Sequence, residues 1–295
     1  RVEQPEGNSL PRVVDQDGCD SACRLWIPEA PHRPGDEPRF ARFTQQPGDL
    51  PRPQPLVHYD QLRPHAVGLV RVLDDEGHAH GPWDPKLPAD RLREGLRTMV
   101  CTRQLDRRLI TMQRQGRLSF YLESYGEEAV AVGAGMALQA DDLLFPAYRQ
   151  QALFLVRGMT PLDMMCQCIG NLHDHSKGRQ MPVHYSWKKG NLVSISSPVG
   201  TQFPQAVGAA MASAYRGDQN VVATWIGEGT TAQGDFHYGL NFASVYRPPV
   251  ILNVVNNQWA ISTHRNLASG GTSFAARADP YNLPGIRVDG NDLLA

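Results

Sequence analysis

Residues 221–263 read VVATWIGEGTTAQGDFHYGLNFASVYRPPVILNVVNNQWAIST. Val221–Ile226 is a short apolar run that ends at Gly227, and Gly227-Glu228-Gly229-Thr230-Thr231-Ala232 follows it. Phe236, Leu240, Ala243 and Val245 or Tyr246 then recur at helical spacing, before a second apolar run, Val250–Val255, stops at Asn256-Asn257. The pattern predicts strand, glycine turn, helix, strand: a βαβ unit whose turn can hold a phosphate on backbone N–H groups. GEGTTA also fits the dinucleotide fingerprint, but that reading needs an acidic residue at the end of the second strand. Two asparagines stand there instead. An amide oxygen is a neutral ligand for a hard cation, and Glu228 supplies a carboxylate from the first turn. Adjacent parallel strands would join these two ends, although Glu228 and Asn257 lie 29 positions apart (257 − 228). The two strand ends read as a clamp for a Mg²⁺-bound diphosphate rather than for a dinucleotide.

The surrounding text is more specific. Gly-Glu-Gly followed by Asn-Asn resembles the thiamin-diphosphate motif, and it stands with SSPVGTQFPQAVGAAMA (Ser196–Ala212), KGRQMPVHY (Lys177–Tyr185), FPAYRQQ (Phe145–Gln151) and IRVDGND (Ile286–Asp292). Together these resemble the alpha subunits of branched-chain 2-oxo acid dehydrogenase decarboxylating components, from about Leu92 onward. The resemblance implies a thiamin-diphosphate-binding fold: a doubly wound, mostly parallel α/β sheet. It implies Mg²⁺ held by Glu228, the Asn257 side chain and the Trp259 carbonyl. Tyr148, Arg149, Ser197, Gly229 and Thr230 match cofactor contacts, and Ser196, Pro198, Thr201 and Gln202 match the ligands of a structural K⁺. Phe120, Tyr148 and Val199 match positions near the acyl pocket.

The implied activity is thiamin-dependent oxidative decarboxylation of branched-chain 2-oxo acids, with acyl transfer to the lipoyl group of a transacylase. A beta subunit would supply the activating glutamate, in a heterotetramer of two alpha and two beta chains. Pyruvate or acetoin as substrate, and a non-catalytic cofactor-binding chain, are the alternatives. The family pattern continues past Asp292, so a C-terminal part is expected beyond this sequence. Bacterial cytoplasm or mitochondrial matrix is the expected compartment.

Composition adds limits rather than detail. A net charge of −1 gives no electrostatic case for nucleic acid or an anionic membrane, and no apolar run approaches the length of a bilayer span. Five cysteines form no disulfide framework in 295 residues. Cys19 and Cys23 with His32 make at most half a zinc site. His78-x-His80 and His173-x-His175 lie in polar stretches and read as surface histidines.

Residues 1–88 hold 14 of the 23 prolines, which predicts an extended arm, or a tail, ahead of a folded domain at 89–295. Leu69–Leu73 reads as one short strand within it. Asp90 is placed to cap a helix with Leu92, Leu96, Met99, Val100, Leu109 and Met112 on one face. Ser124-x-x-Glu127 reads as a capping box for a helix over 127–139, with Glu127 and Glu128 as helix-start charges. Thr160-Pro161-x-Asp163 starts another helix that Gly170 stops. Lys177, Arg179 and His184, in a polar loop, either face anionic substrate or are solvated. Leu192–Ser196 is β-like. The small residues of Ala129–Ala137 and Ala206–Ala214 suggest surfaces that other chains can approach closely.

Overall fold

The computed structural model describes residues 46–271 and 273–295, together with an antiparallel backbone ladder of Val2–Glu3 with Arg12–Val13. The ladder belongs to a unit spanning residues 1–44, and the chain from residue 45 onward forms one compact unit. Cys19, Cys23 and His32 lie outside the described residues.

The sheet has three parallel strands, β1 (Leu143–Phe145), β2 (Val222–Gly227) and β3 (Val250–Val255), side by side in that order. Six helices are named here: α1 (Ala89–Arg114), α2 (Glu128–Ala137), α3 (Gln151–Val156), α4 (Pro161–Ile169), α5 (Gln202–Arg216) and α6 (Gly234–Tyr246). Alternate strand residues point to opposite faces. Ala223, Trp225 and Val255 therefore join Leu105, Leu109 and Met112 of α1, Val132 of α2 and Phe154 of α3 in one cluster. On the other face Val222 meets Ala206 and Ala210 of α5, and Ile226 meets Phe203, Phe236 and Leu240 of α5 and α6. Helices cover both faces, which is the α/β arrangement expected.

Several local expectations are corrected. Of the strand expected at Leu192–Ser196 only isolated bridges form, from Leu192 to Leu144 and to Trp187. Val193 N–H still bonds the Leu144 carbonyl, but Ile195 N–H turns away to Tyr185. Along α1 the buried line is Gly95, Thr102, Leu105, Asp106, Leu109 and Met112, while Leu92, Leu96 and Val100 are exposed. Gly95 sets this rotation. A Cβ there would lie 2.8 Å from Leu293 and 3.0 Å from Met136. Asp90 does not cap: Pro88 holds that position and Asp90 pairs with Arg93. In α6 the inward line ends at Ala243, and Val245 and Tyr246 are exposed. The Thr160–Asp163 capping box does form, and Gly170 ends α4 in the left-handed region.

The small face of α2 is consumed inside the chain, because the Leu293 carbonyl approaches Gly133 while Leu153 and Val156 approach Gly135. Gly208 of α5 faces open space. Residues 46–88 are part of the compact unit rather than a separate arm. Leu62, Leu69, Val70 and Val72 are buried, and Val70 bridges to Val288. The Asp292 carboxylate accepts the N–H groups of Val72 at 2.6 Å and Leu73 at 2.7 Å.

Asp106 displaces the capping box expected at Ser124. Its Oδ2 accepts the Ser124 N–H at 2.8 Å and the Ser124 hydroxyl at 2.9 Å, so α2 starts at Glu128 without a side-chain cap. Tyr121 OH lies 2.6 Å from Asp106 Oδ1 and 2.8 Å from Gln151 Oε1. Gln151 is fixed in this orientation because its Nε2 donates to the Leu122 carbonyl at 2.6 Å. One hydroxyl hydrogen cannot serve two acceptors. The proton count closes if Asp106 is a neutral acid that donates to Tyr121, which in turn donates to Gln151. Burial pushes the Asp106 carboxyl upward against the hydrogen bonds of Tyr121 and Ser124, in agreement.

Because the raised folded-state pKa lets the unfolded chain give up this proton first, stability falls as pH rises from the ordinary carboxylate range to the folded-state pKa, and the loss is absent below that ordinary range. Asp106→Asn keeps one donor and one acceptor, so it should stay within about 1 kcal/mol of the parent at neutral pH. Asp106→Ala leaves buried donors without partners and should cost about 2–4 kcal/mol. Denaturant unfolding of both variants measures this. A loss in Asp106→Asn as large as in Asp106→Ala would mean that the group is ionised.

Candidate functional site

The register of the sheet builds the site. Gly227 pairs with Val255, so Glu228 and Asn256 leave β2 and β3 at the same level. Phe145 pairs with Thr224, so the chain that leaves β1 carries Tyr148 and Arg149 to the same end. From β1 the chain goes out to Leu192 on one side, then returns through α5 to β2 on the other. That reversal is a topological switch point, and in open α/β sheets ligands bind at such points beside the carboxyl ends of the strands. Ser196, Ser197, Pro198, Val199, Thr201 and Gln202 lie on the return path, just before and at the start of α5.

Two close approaches join the turns. Gly200 is held at φ +95°, and a Cβ there would lie 3.2 Å from Thr230, so the turn before α5 abuts the one after β2. Gly229 has Ala260 against it, at a separation that no side chain at 229 would allow. Glycine is required there because the short hairpin Trp259–Ala260/Thr263–His264 lies across the turn. Thr231 donates to the Glu228 carbonyl at 2.6 Å, and Arg277 donates to Thr231 Oγ1 at 2.7 Å, which pins the turn from behind.

Glu228 is 4% exposed. Burial pushes its carboxyl up, against the pull of nearby backbone N–H groups, its own and that of Asn257 foremost. Its Oε1 is buried with no partner among the described residues. The Asn257 amide donates through Nδ2 to Glu127 Oε1 at 2.8 Å, and its Oδ1 accepts the Trp259 N–H at 3.0 Å. Glu127 is buried too. Desolvation raises its carboxyl, against the opposing pull of Asn257 and of Arg149, whose Nε lies 4.0 Å away. Arg149 Nη1 also donates to the Glu123 carbonyl. Burial opposes ionisation of the neighbouring Glu128, but its two-pronged pair with Arg103, at 2.6 and 2.8 Å, holds its carboxyl below the usual range. The site therefore contains two buried acids: Glu127, with Arg149 at 4.0 Å, and Glu228, which has no ion pair among the described residues.

A second group of oxygens converges before α5. Thr201 Oγ1 lies 2.8 Å from Ser196 Oγ and 3.2 Å from the Pro198 carbonyl, which also accepts from Ser196 at 3.3 Å. Gln202 spends its Nε2 on the Trp225 carbonyl at 3.0 Å and leaves its Oε1 buried without a partner.

The remaining predicted residues divide. Phe120 and Tyr148 are half-buried against one core cluster, whereas Val199 is exposed on the turn before α5. Lys177 and Arg179 are exposed, whereas His184 is buried and its Nδ1 lies 3.0 Å from the Pro182 carbonyl. His78 and His80 share Asp74, at 3.5 and 2.7 Å, and no metal-binding group of three such side chains occurs among the described residues. Cys166 and Cys168 are buried free thiols. Glu127 and Arg277 are the site residues that sequence reasoning missed. Glu127 gave a helix-start signal and nothing more; Arg277 gave none.

The profile of the family described as "Dehydrogenase E1 component" matches residues 96–295, which carry all of this geometry. The chain belongs to the dehydrogenase E1 component family. The 2-oxoisovalerate dehydrogenase subunit alpha of Pseudomonas aeruginosa is 49% identical over 274 residues, covering 92% of this chain and 67% of that protein. The mitochondrial proteins of that name from mouse and human are 43% and 44% identical over 231 residues, covering 78% of this chain and 52% of theirs. The chain thus spans about half the length of these mitochondrial relatives.

For this E1 chain the raised carboxyl of Glu228 has a measurable sign. Its cost to the folded state is present above the folded-state pKa and is relieved as pH falls through it. Glu228→Gln should therefore raise the thermal midpoint of the chelator-treated protein at neutral pH. The gain should shrink as pH falls towards the ordinary carboxylate range. A midpoint lowered at neutral pH would show that the carboxylate is compensated within the protein.

Proposed function

We propose that this chain is the alpha component of a branched-chain 2-oxo acid dehydrogenase and binds thiamin diphosphate with Mg²⁺ at the ends of β1, β2 and β3. One observation carries the reading: a buried carboxylate, Glu228, with an oxygen that no group among the described residues satisfies, set by sheet register beside Asn257 and Trp259. Burial of an unpaired charge is costly, and a divalent cation removes that cost. One carboxylate, one amide oxygen and a main-chain carbonyl also suit Mg²⁺, which completes its shell with phosphate oxygens and water.

Glu228, Asn257 Oδ1 and the Trp259 carbonyl would hold the metal. The N–H groups at Gly229 and Thr230, the Ser197 hydroxyl and the Tyr148–Arg149 pair would hold the diphosphate. An arginine fork suits phosphate oxygens because it donates two bonds in one plane. Ser196, Pro198, Thr201 and the orphaned Gln202 Oε1 fit a K⁺ that stiffens the turn against Thr230. Thiamin diphosphate, when bound, supplies the electron sink that lets a 2-oxo acid lose carbon dioxide. This chain's residues position the metal and diphosphate and shape the acyl end of the site with Phe120, Tyr148 and Val199. A partner beta chain supplies the carboxylate that activates the cofactor, in an assembly of two alpha and two beta chains. The acyl group passes to the lipoyl arm of a transacylase.

Glu228→Ala and Asn257→Ala should each weaken thiamin-diphosphate binding in calorimetric titration by about tenfold or more, with the fold retained. In the assembled enzyme 3-methyl-2-oxobutanoate carries two carbons more than pyruvate, worth about 0.8 kcal/mol each when buried, so kcat/KM should favour it by about tenfold. The isolated chain should not turn over. Unchanged cofactor affinity in both variants overturns the site, and preference for pyruvate overturns the substrate.

A further inference from the structure

We infer that Glu127 is a positioning residue that fixes which end of the Asn257 amide faces the metal. This rests on the metal site proposed above. An asparagine side chain presents a ligand from one end and a repulsive NH₂ from the other, and the two ends have nearly the same shape. Something must therefore choose between them. Here the choice is made from both sides. Nδ2 donates to Glu127 Oε1 at 2.8 Å, and Oδ1 accepts the Trp259 N–H at 3.0 Å. Reversal would set Oδ1 against a carboxylate oxygen and Nδ2 against an N–H group, replacing two attractions by two repulsions. An amide oxygen has two acceptor directions. Oδ1 keeps one for the metal after the Trp259 bond is made.

The position of Glu127 is itself set by α1. Asp106 holds Ser124, Arg103 clamps Glu128 through both carboxylate oxygens, and Gly126 N–H closes onto Glu128 Oε2 at 3.0 Å. Glu127 thus projects from a segment fixed on either side, 130 residues from the amide it orients. The same carboxylate lies 4.0 Å from Arg149 Nε, so one group faces both the metal half and the diphosphate half of the site.

Removing an outer-shell partner of a metal ligand commonly costs about 10–100-fold in metal affinity. The test is Mn²⁺ binding followed by electron paramagnetic resonance, with thiamin diphosphate present, on the assembled enzyme. Glu127→Ala should weaken Mn²⁺ binding by about tenfold or more, while Glu127→Gln, which keeps an acceptor for Nδ2, should stay within about threefold. An aspartate at 257 has two equivalent oxygens and no wrong end. In an Asn257→Asp background, Glu127→Ala should therefore cost nothing in Mn²⁺ affinity. Thermal midpoints report whether each variant folds, and in a variant that fails to fold the Glu127→Gln comparison carries the test.

Equal losses in Glu127→Ala and Glu127→Gln would assign the effect to charge and overturn the orientation role. So would a loss from Glu127→Ala that persists beside Asp at 257. Mn²⁺ binding left unchanged by Asn257→Ala would instead overturn the metal site, separately from this inference.

Discussion

Everything at the functional end of this molecule follows from one pairing: β2 and β3 run parallel with Gly227 opposite Val255. Parallel register is set by side-chain alternation, and a slip of one residue would exchange the two faces of a strand. Trp225 and Ile226 belong to different clusters on opposite faces and are both essentially fully buried, so the slip is forbidden from both sides. The core thereby fixes the relative height of Glu228 and Asn257 without any direct bond between their side chains. Two residues far apart in sequence become neighbours because apolar residues behind them cannot move.

The same rigidity has a local cost. A carboxylate placed by its strand cannot swing out to water, and Glu228 stays buried with one oxygen unmet. Glu127 is confined in a similar way by Asp106 and Arg103 through Ser124 and Glu128. Within a folded protein such strain is tolerated where a ligand relieves it. The buried polar chain from Asp106 through Tyr121 to Gln151 differs, because proton sharing lets every member find a partner. One network is closed, and the other leaves Glu228 Oε1 without a partner among the described residues.

Legibility in the sequence followed the range of the interaction. Strand, turn and helix around 221–263 were readable because period and glycine placement act locally, and so was the Thr160–Asp163 cap. That Glu228 and Asn256-Asn257 come to one end of the sheet was readable because strand ends carry them. The Ser124 box failed because Asp106, 18 residues upstream, outbids the local cap for the same hydroxyl. The face of α1 was misjudged because Leu293, far along the chain, presses on Gly95 and rotates the contact. Glu127 and Arg277 were missed for the same reason: their partners lie 130 and 46 residues away. Proline content suggested an arm through residue 88, yet hydrophobic residues at 62–72 find a dry place that composition does not reveal.

That dry place has a consequence for how the chain is made. Val72 and Leu73 bond to Asp292, 220 and 219 residues later, and Val70 bridges to Val288. At translation rates of about 5–20 residues per second, roughly 10–40 s separate the two partners as they leave the ribosome. Throughout that interval the N–H groups of Val72 and Leu73 lack the carboxylate that accepts them in the folded chain. The strands and helices between can assemble as synthesis proceeds, but these long-range links close only once residue 292 has been made.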